Sequence, residues 1–409
     1  MLQKMATLCI SAFMSNKTYL LGCSGGPDSM ALFALLKENK INFEVAHVNY
    51  HLREEADKES EILEDYCQKE KIIFHRLNAS ITKGNAEEEA RNIRYDYYAY
   101  LATLKEYEAV LVAHHRGDYL ETYLMQKRRG TTPEYYGLKE VTYIKGIKVI
   151  RPLLNYYKED LMEYCDREKI PYSIDKSNFD EKYTRNKIRK ELLNFSKEAK
   201  EKLYEASLKD NSLRQEEIRA TLALIQGKTK WDISEFKAFP YKREFLRRIL
   251  YLDLADKQLD DLIHKLLNSK SFNELIRNKY LVKEYGYISS FDKIKPFYLE
   301  LEELKYQDYG PFKITQEGNE RELLVVNDKD FPLIIRSSHN GDRIQMSFGK
   351  KKLSRYFIDH KVALSKRLKT IVVENQFHEI IFVSGIGKSH SHLATKAYYF
   401  VLKCDNTEA

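Results

Sequence analysis

A doubly wound, mostly parallel α/β sheet, followed by a helical domain and a small α+β domain, is the fold class this sequence predicts, on three observations. Between residue 19 and about residue 151, short apolar runs alternate with longer helical periods, the order that winds a parallel sheet with helices on both faces. From about 192 to 295 the pattern turns to long charged-and-apolar periods, as over 197–217 and 241–254. Strand-like runs then return at 333–336, 371–373 and 380–383, with a turn at Asn340-Gly341-Asp342. The expected domains are 1–195, 196–295 and 331–409, with 296–330 as a connection carrying short strands.

Composition narrows the class of protein. A hydrophobic fraction of 43% over 409 residues is enough to bury ordinary cores. The start of the chain has no long apolar h-region or small-residue cleavage site, and no run of about 18 apolar residues occurs, so a cytoplasmic protein without a membrane segment is expected. Cys9, Cys23, Cys67, Cys165 and Cys404 are scattered with no Cys-x-x-Cys, which points to reduced thiols rather than a disulfide frame or a zinc site. The net charge of +7 is modest, but basic residues gather at 127–129, 182–190, 242–248 and 350–352. Thirty tyrosines, many beside these clusters, offer stacking surfaces for unpaired bases.

The chemistry-bearing residues fall where strand runs end. The run over 19–23 leads into Ser24-Gly25-Gly26-Pro27-Asp28-Ser29, and a helix over 28–40 follows. Gly25 and Gly26 leave no Cβ in the way, so backbone N–H groups can close on a phosphate where the helix N-terminus adds its partial positive charge. The Ser24 and Ser29 hydroxyls can donate to the same oxygens. Asp28 suits such a site only with Mg2+ between the two anions, or else it caps the helix. No Gly-Lys-Ser/Thr follows, so the loop is not a Walker A motif.

A second strand over 43–50 places His47, Asn49 and His51 on one side near the mouth of the site; His47 reads equally as a core histidine. Peptide groups at 46–48 suit an adenine edge. After a helix over 54–69 and a third strand over 72–77, a helix over 86–105 carries Glu87 or Glu88, Arg91 and Arg94 on one face. That face is either an exposed ladder of ion pairs or a set of planar donors for phosphate. The fourth strand, 109–113, runs into His114-His115-Arg116-Gly117-Asp118-Tyr119-Leu120-Glu121-Thr122. On the helix over 118–127, Asp118, Glu121 and Thr122 share a face. Carboxylates there can hold Mg2+ or move protons, and an imidazole can donate to a charged oxygen. A fifth strand covers 147–150.

Ser24-Gly25-Gly26-Pro27-Asp28-Ser29 resembles the pyrophosphate loop of the PP-loop ATP pyrophosphatases, which split ATP between its α and β phosphates. His114, His115, Asp118, Glu121 and Thr122 are similar to the His-His-x-Asp-Asp-Gln-x-Glu-Thr motif of tRNA(Ile)-lysidine synthetases, with Gly117 in place of the first aspartate and Tyr119 in place of glutamine. The same family is matched by Glu87, Ala90, Arg91, Arg94 and Tyr95, by Arg128-Arg129-Gly130, and by Arg151-Pro152-Leu153-Leu154. The match continues through Asp175-Lys176-Ser177-Asn178 and Arg185-Asn186-Lys187-Ile188-Arg189, and in the last domain through Gly341-Asp342-Arg343 and Lys351-Lys352-Leu353.

The resemblance implies an enzyme that adenylates the C2 oxygen of the wobble cytidine of a CAU-anticodon tRNA(Ile) and then joins free lysine there, releasing AMP and pyrophosphate. The modification changes decoding from AUG to AUA. It implies a pyrophosphate and nucleotide site at Ser24, Gly25, Gly26, Pro27, Asp28, Ser29, His47 and Asn49, with Mg2+ on Asp28 and Asp118. Arg91, Arg94, His114 and Glu121 join these two aspartates as catalytic residues, and Glu121 or His115 takes the proton from lysine. Arg128, Arg129, Arg185, Arg189, Lys351 and Lys352 contact tRNA, the helical and C-terminal domains are tRNA-binding, and a homodimer is left open. A PP-loop tRNA thiolase, or a tRNA-binding protein whose ATP site has decayed, is the competing reading.

Overall fold

The computed structural model describes residues 16–51, 56–81, 86–173, 184–319, 321–390, 392 and 397–403. The turn over 175–180, the side chain of Glu87, Cys9 and Cys404 lie outside them. The chain divides into two compact units, Met1–Glu216 and Glu217–Ala409.

The first unit is a six-stranded sheet in the order β3-β2-β1-β4-β6-β5. Its strands are β1 (Thr18–Gly22), β2 (Asn42–Asn49), β3 (Phe74–Asn78), β4 (Val110–Val112), β5 (Val141–Ile144) and β6 (Ile147–Ile150). All neighbouring pairs are parallel except the β5–β6 hairpin at one edge. The helices are α1 (Pro27–Glu38), α2 (Ala56–Lys69), α3 (Ala86–Leu104), α4 (Arg116–Arg128), α5 (Lys158–Arg167), α6 (Thr184–Leu193) and the part of α7 (Lys197–Ile225) up to Glu216. One face of the sheet packs Leu32, Phe33 and Leu36 of α1, Leu63 of α2 and Leu161 of α5 against Leu21, Val45 and Leu111. The other packs Tyr95, Tyr98 and Leu101 of α3 against Leu20, Ala46, Val110 and Val149. Burial of each such large side chain contributes roughly 1.5–3 kcal/mol.

Two local features set the first loop. Gly22 ends β1 against Tyr98, whose Oη would lie 2.2 Å from a Cβ at that position, so only glycine fits. Pro27 opens α1, where its missing N–H costs nothing and its fixed φ suits the first turn. The strand order reverses between β1 and β4, so the crossovers leave in opposite directions there and a crevice opens beyond the strands' C-terminal ends.

One expectation for the second unit is corrected. The stretch expected to be wholly helical contains α8 (Ile233–Ala238), α9 (Lys242–Leu250) and α10 (Asp256–Asn268), but also a four-stranded antiparallel sheet in the order β7-β10-β9-β8. Its strands are β7 (Lys230–Asp232), β8 (Phe272–Ile276), β9 (Lys279–Glu284) and β10 (Tyr287–Asp292). Tyr285 and Gly286, both at positive φ, form the tight hairpin turn that the charged character of the segment conceals. Residues 296–330 carry short strands, as expected. They supply β11 (Tyr298–Leu301), β12 (Phe312–Thr315) and β13 (Leu323–Val326) to sheets whose other members are β14 (Leu333–Ser337), β17 (Ile371–Glu374), β18 (Ile380–Val383), β19 (Gly387–Lys388) and β20 (Ala397–Lys403). A β15–β16 hairpin (Arg343–Met346, Gly349–Lys352) completes the unit with α11 (Leu353–Asp359) and α12 (Leu364–Leu368).

Candidate functional site

The site is built from the segments that follow β1, β4 and β6, all at one end of the sheet. After β1, Gly25 takes φ +80° and its carbonyl accepts from the Ser173 N–H at 2.9 Å. Ser29 Oγ donates to the Gly26 carbonyl at 3.0 Å and lies 3.3 Å from Ser24 Oγ, so the two hydroxyls line one wall of the loop. Asp28 follows on the first turn of α1. Its Oδ1 is buried with no hydrogen-bond partner. Burial pushes the Asp28 carboxyl up, Asp118 adds to the rise, and His115 and Lys158 oppose it.

After β4, His115 caps α4: its Nδ1 accepts the Gly117 N–H at 2.9 Å, while its own N–H donates to Asp118 Oδ2 at 3.0 Å. In the neutral ring this leaves the proton on Nε2, which lies 3.8 Å from Asp28 Oδ2 and 3.6 Å from Asp118 Oδ2. Burial pushes the Asp118 carboxyl up, but His115, His114, the His115 backbone N–H and Arg185 outweigh it and hold it at about 2.

Arg151, buried after β6, fixes the neighbouring histidine. Its Nε donates to His114 Nδ1 at 3.1 Å, and its Nη1 donates to the Lys139 carbonyl and Thr142 Oγ1. The neutral His114 ring therefore carries its proton on Nε2. Burial brings its pKa down to about 3, with Arg151, Arg185 and Arg91 adding to the fall against Asp118. The unfolded chain takes up this proton near pH 6.5 and the native state does not, so stability is full above about pH 6.5 and declines as the pH falls toward 3. Urea midpoints measured from pH 7 to 5 should fall, and the fall should be shallower in His114→Gln.

α6 closes another side. Arg185 Nε donates to Glu121 Oε2 at 3.0 Å; Arg189 donates to Glu121 Oε1 at 2.8 Å and to Oε2 at 3.2 Å. Arg185 also reaches Asp118 Oδ1 at 3.4 Å. This bears on the two candidate bases for lysine: both Glu121 oxygens receive guanidinium N–H groups, and the Nδ1 lone pair of His115 is taken by Gly117. Arg185 and Arg189 face the carboxylates of the site, and Arg128 pairs with Glu191 at 2.5 Å while Arg129 is exposed.

The side chains of the β2 residues take partners within the protein. His47 Nδ1 donates to the Cys23 carbonyl at 2.9 Å and its Nε2 lies 2.8 Å from Ser60 Oγ, so both ring nitrogens are spent on the core. Asn49 donates to Asp57 at 2.6 Å and accepts the His51 N–H at 3.0 Å. On α3, Arg91 lies over the Tyr95 ring at 4.8 Å and Arg94 sits among Tyr50, Tyr95 and Tyr98.

The two departures from the motif have structural roles. Tyr119 Oη is 3.0 Å from Ser207 Oγ and accepts from Asn211 Nδ2 at 3.1 Å, and its ring packs edge-on against Tyr204, so it anchors α4 to α7. Arg116 strengthens the same joint by pairing with Glu201 and lying 3.8 Å over the Tyr204 ring. In the second unit, Lys351 pairs with Asp359 and Lys352 is exposed. The basic run of α9 is largely neutralised within the unit, Arg243 by Asp256 and Asp260, Arg247 by Asp256, and Arg248 by Glu244.

The donor set fits a divalent cation. Asp28 Oδ1 is an orphaned acceptor and a second carboxylate, Asp118, lies across the crevice, the one or two carboxylates with which Mg2+ binds alongside phosphate oxygens and water. Fold and site together define a PP-loop protein, and the PP-loop domain model matches residues 2–196. The tRNA(Ile)-lysidine synthase of Mycoplasma mycoides subsp. mycoides SC is 30% identical over 395 residues, which span 91% of this chain and 98% of that protein. That of Streptococcus gordonii is 29% identical over 396 residues, 91% of each. Among solved structures, a U34-tRNA thiolase from Methanococcus maripaludis has a TM-score of 0.45 at 14% identity, covering 51% of this chain and 77% of that one. The chain belongs to the tRNA(Ile)-lysidine synthase family.

Proposed function

We propose that the chain uses ATP to join free lysine to C2 of the wobble cytidine in a CAU-anticodon tRNA(Ile). The observation that carries this is the similarity to a tRNA(Ile)-lysidine synthase along 98% of that protein. The site geometry supplies plausible roles. Gly25 and Gly26 N–H groups with the Ser24 and Ser29 hydroxyls hold the pyrophosphate half of ATP, with Pro27 fixing the start of α1. Asp28 and Asp118 hold Mg2+, which when bound offsets charge on the phosphate oxygens. The cytidine C2 oxygen takes the adenylyl group as pyrophosphate leaves, and the lysine ε-amino group then displaces AMP. The His114 Nε2–H, Arg91 and Arg94 stabilise the negative charge that develops in the first step. Exposed Arg129 and Lys352 are suited to tRNA phosphates, and Arg128, Arg185, Arg189 and Lys351 join them by exchanging carboxylate partners for phosphate.

This reading places the protein in the cytoplasm with its tRNA; among the described residues no helix is long and apolar enough to cross a membrane. A sulfur-delivering enzyme would call for paired cysteines, and the sequence contains no Cys-x-x-Cys. The test is incubation of the protein with ATP, Mg2+, radiolabelled lysine and a CAU-anticodon isoleucine tRNA transcript. Label is expected in acid-precipitable RNA and should vanish when the wobble cytidine is replaced. Cleaved ATP without incorporated lysine would point to a different nucleophile.

A further inference from the structure

We infer that His115 is a positioning residue that holds Asp28 and Asp118 as a preformed divalent-cation pair, and that position 117 is glycine to make room for its ring. The inference rests on the assignment of those two carboxylates to the cation proposed above. The two aspartates come from different segments, one after β1 and one on α4, and the Asp118 charge disfavours ionisation of Asp28. One imidazole lies between them, its Nε2 3.8 Å from Asp28 Oδ2 and 3.6 Å from Asp118 Oδ2, so its N–H dipole faces both carboxylates. Its orientation is set from the far side of the ring, where Nδ1 accepts the Gly117 N–H at 2.9 Å. With each Oδ2 facing the imidazole, Asp28 Oδ1 is left buried without a partner, ready for a cation.

Gly117 completes the device. Its φ is not in the left-handed region, so conformational freedom does not explain it; a Cβ there would lie 2.6 Å from His115 Cε1 and 2.9 Å from Nδ1. Any side chain at 117 must displace the ring. His115 and Gly117 therefore act as one unit, and their substitutions should not combine independently.

The test is Mn2+ binding to the full-length protein with a non-hydrolysable ATP analogue, read from the free-Mn2+ electron paramagnetic resonance signal. His115→Asn keeps an acceptor for the Gly117 N–H but is too short to reach the carboxylates. It should melt close to the parent and bind Mn2+ about 10–100-fold more weakly, the usual loss when a group orienting metal ligands is removed. Gly117→Ala should weaken binding similarly, and the double variant should be no weaker than the worse single. Parental Mn2+ affinity in His115→Asn, multiplicative losses in the double variant, or no Mn2+ binding by the parent would each overturn the inference; if Gly117→Ala does not fold, His115→Asn decides alone. Because neither tRNA nor lysine is present, a protein that binds Mn2+ as described yet attaches no lysine would sink the lysidine reading and leave this one standing.

Discussion

Asp28→Ala is expected to lower tRNA-dependent AMP formation by a factor on the order of 10³ or more while tRNA affinity stays within about twofold. A cation at developing phosphate charge supplies several kcal/mol, and each 1.36 kcal/mol is about tenfold in rate. Asp28 is the group whose Oδ1 is buried without a partner, so removing it takes away the open acceptor while leaving the basic surface residues unchanged. Asp28→Asn refines the test, since it keeps the shape and an amide oxygen but removes the charge, and it should fail nearly as completely. AMP release and filter binding of labelled tRNA, measured on one preparation, separate the two quantities. Adenylation at the parental rate in Asp28→Ala would sink the assignment.

Glu121→Ala is expected to act on stability first. The carboxylate is almost wholly buried and bridges two guanidiniums from α6, so its loss takes the nearer carboxylate from both, which stay 3.4 and 3.9 Å from Asp118. Breaking a fully buried pair costs roughly 3–5 kcal/mol, but both arginines keep about a third of their surface in water, so about 2 kcal/mol is expected. A shift of that size lowers the melting temperature by roughly 4–8 °C in a unit of this length, measurable by calorimetry. Glu121→Gln retains one acceptor oxygen and should lose part of this stability. A Glu121→Gln protein as stable as the parent but inactive would instead make Glu121 a proton acceptor in the reaction.

What could be read along the chain was the part governed by local order. Strand runs ending at Ser24 and His114 stand out because apolar residues give way to glycines and polar groups, and the parallel winding then places both ends at one crevice. The β5–β6 hairpin was missed because Val141–Ile144 is short and half-exposed, and only its turn residues Lys145 and Gly146, both at positive φ, mark it. Other features depend on partners far away in sequence. Arg185 and Arg189 read as a basic helix face until Glu121, 64 and 68 residues earlier, is found between them. His47 and Asn49 look open to ligand until Cys23, Ser60 and Asp57 are seen to occupy them. Likewise the short strands between 296 and 330 take their sheet partners from β14 and β20, a pairing that no local period announces.

The buried thiols carry a consequence for kinetics of opening. Cys23 Sγ sits 3.8 Å from Met30 Sδ, and Cys165 Sγ is 3.5 Å from the Pro27 carbonyl, so the two sulfurs bracket the point where β1 hands over to α1. Burial pushes the Cys23 thiol up and the Cys165 thiol up to about 12, which leaves almost no thiolate at neutral pH. Alkylation must then wait for the junction to come apart, and its rate becomes a clock for that local unfolding. If ATP binds the loop as proposed, alkylation with ATP present is expected to be slower, measurable as the rate of thiol labelling with and without the nucleotide.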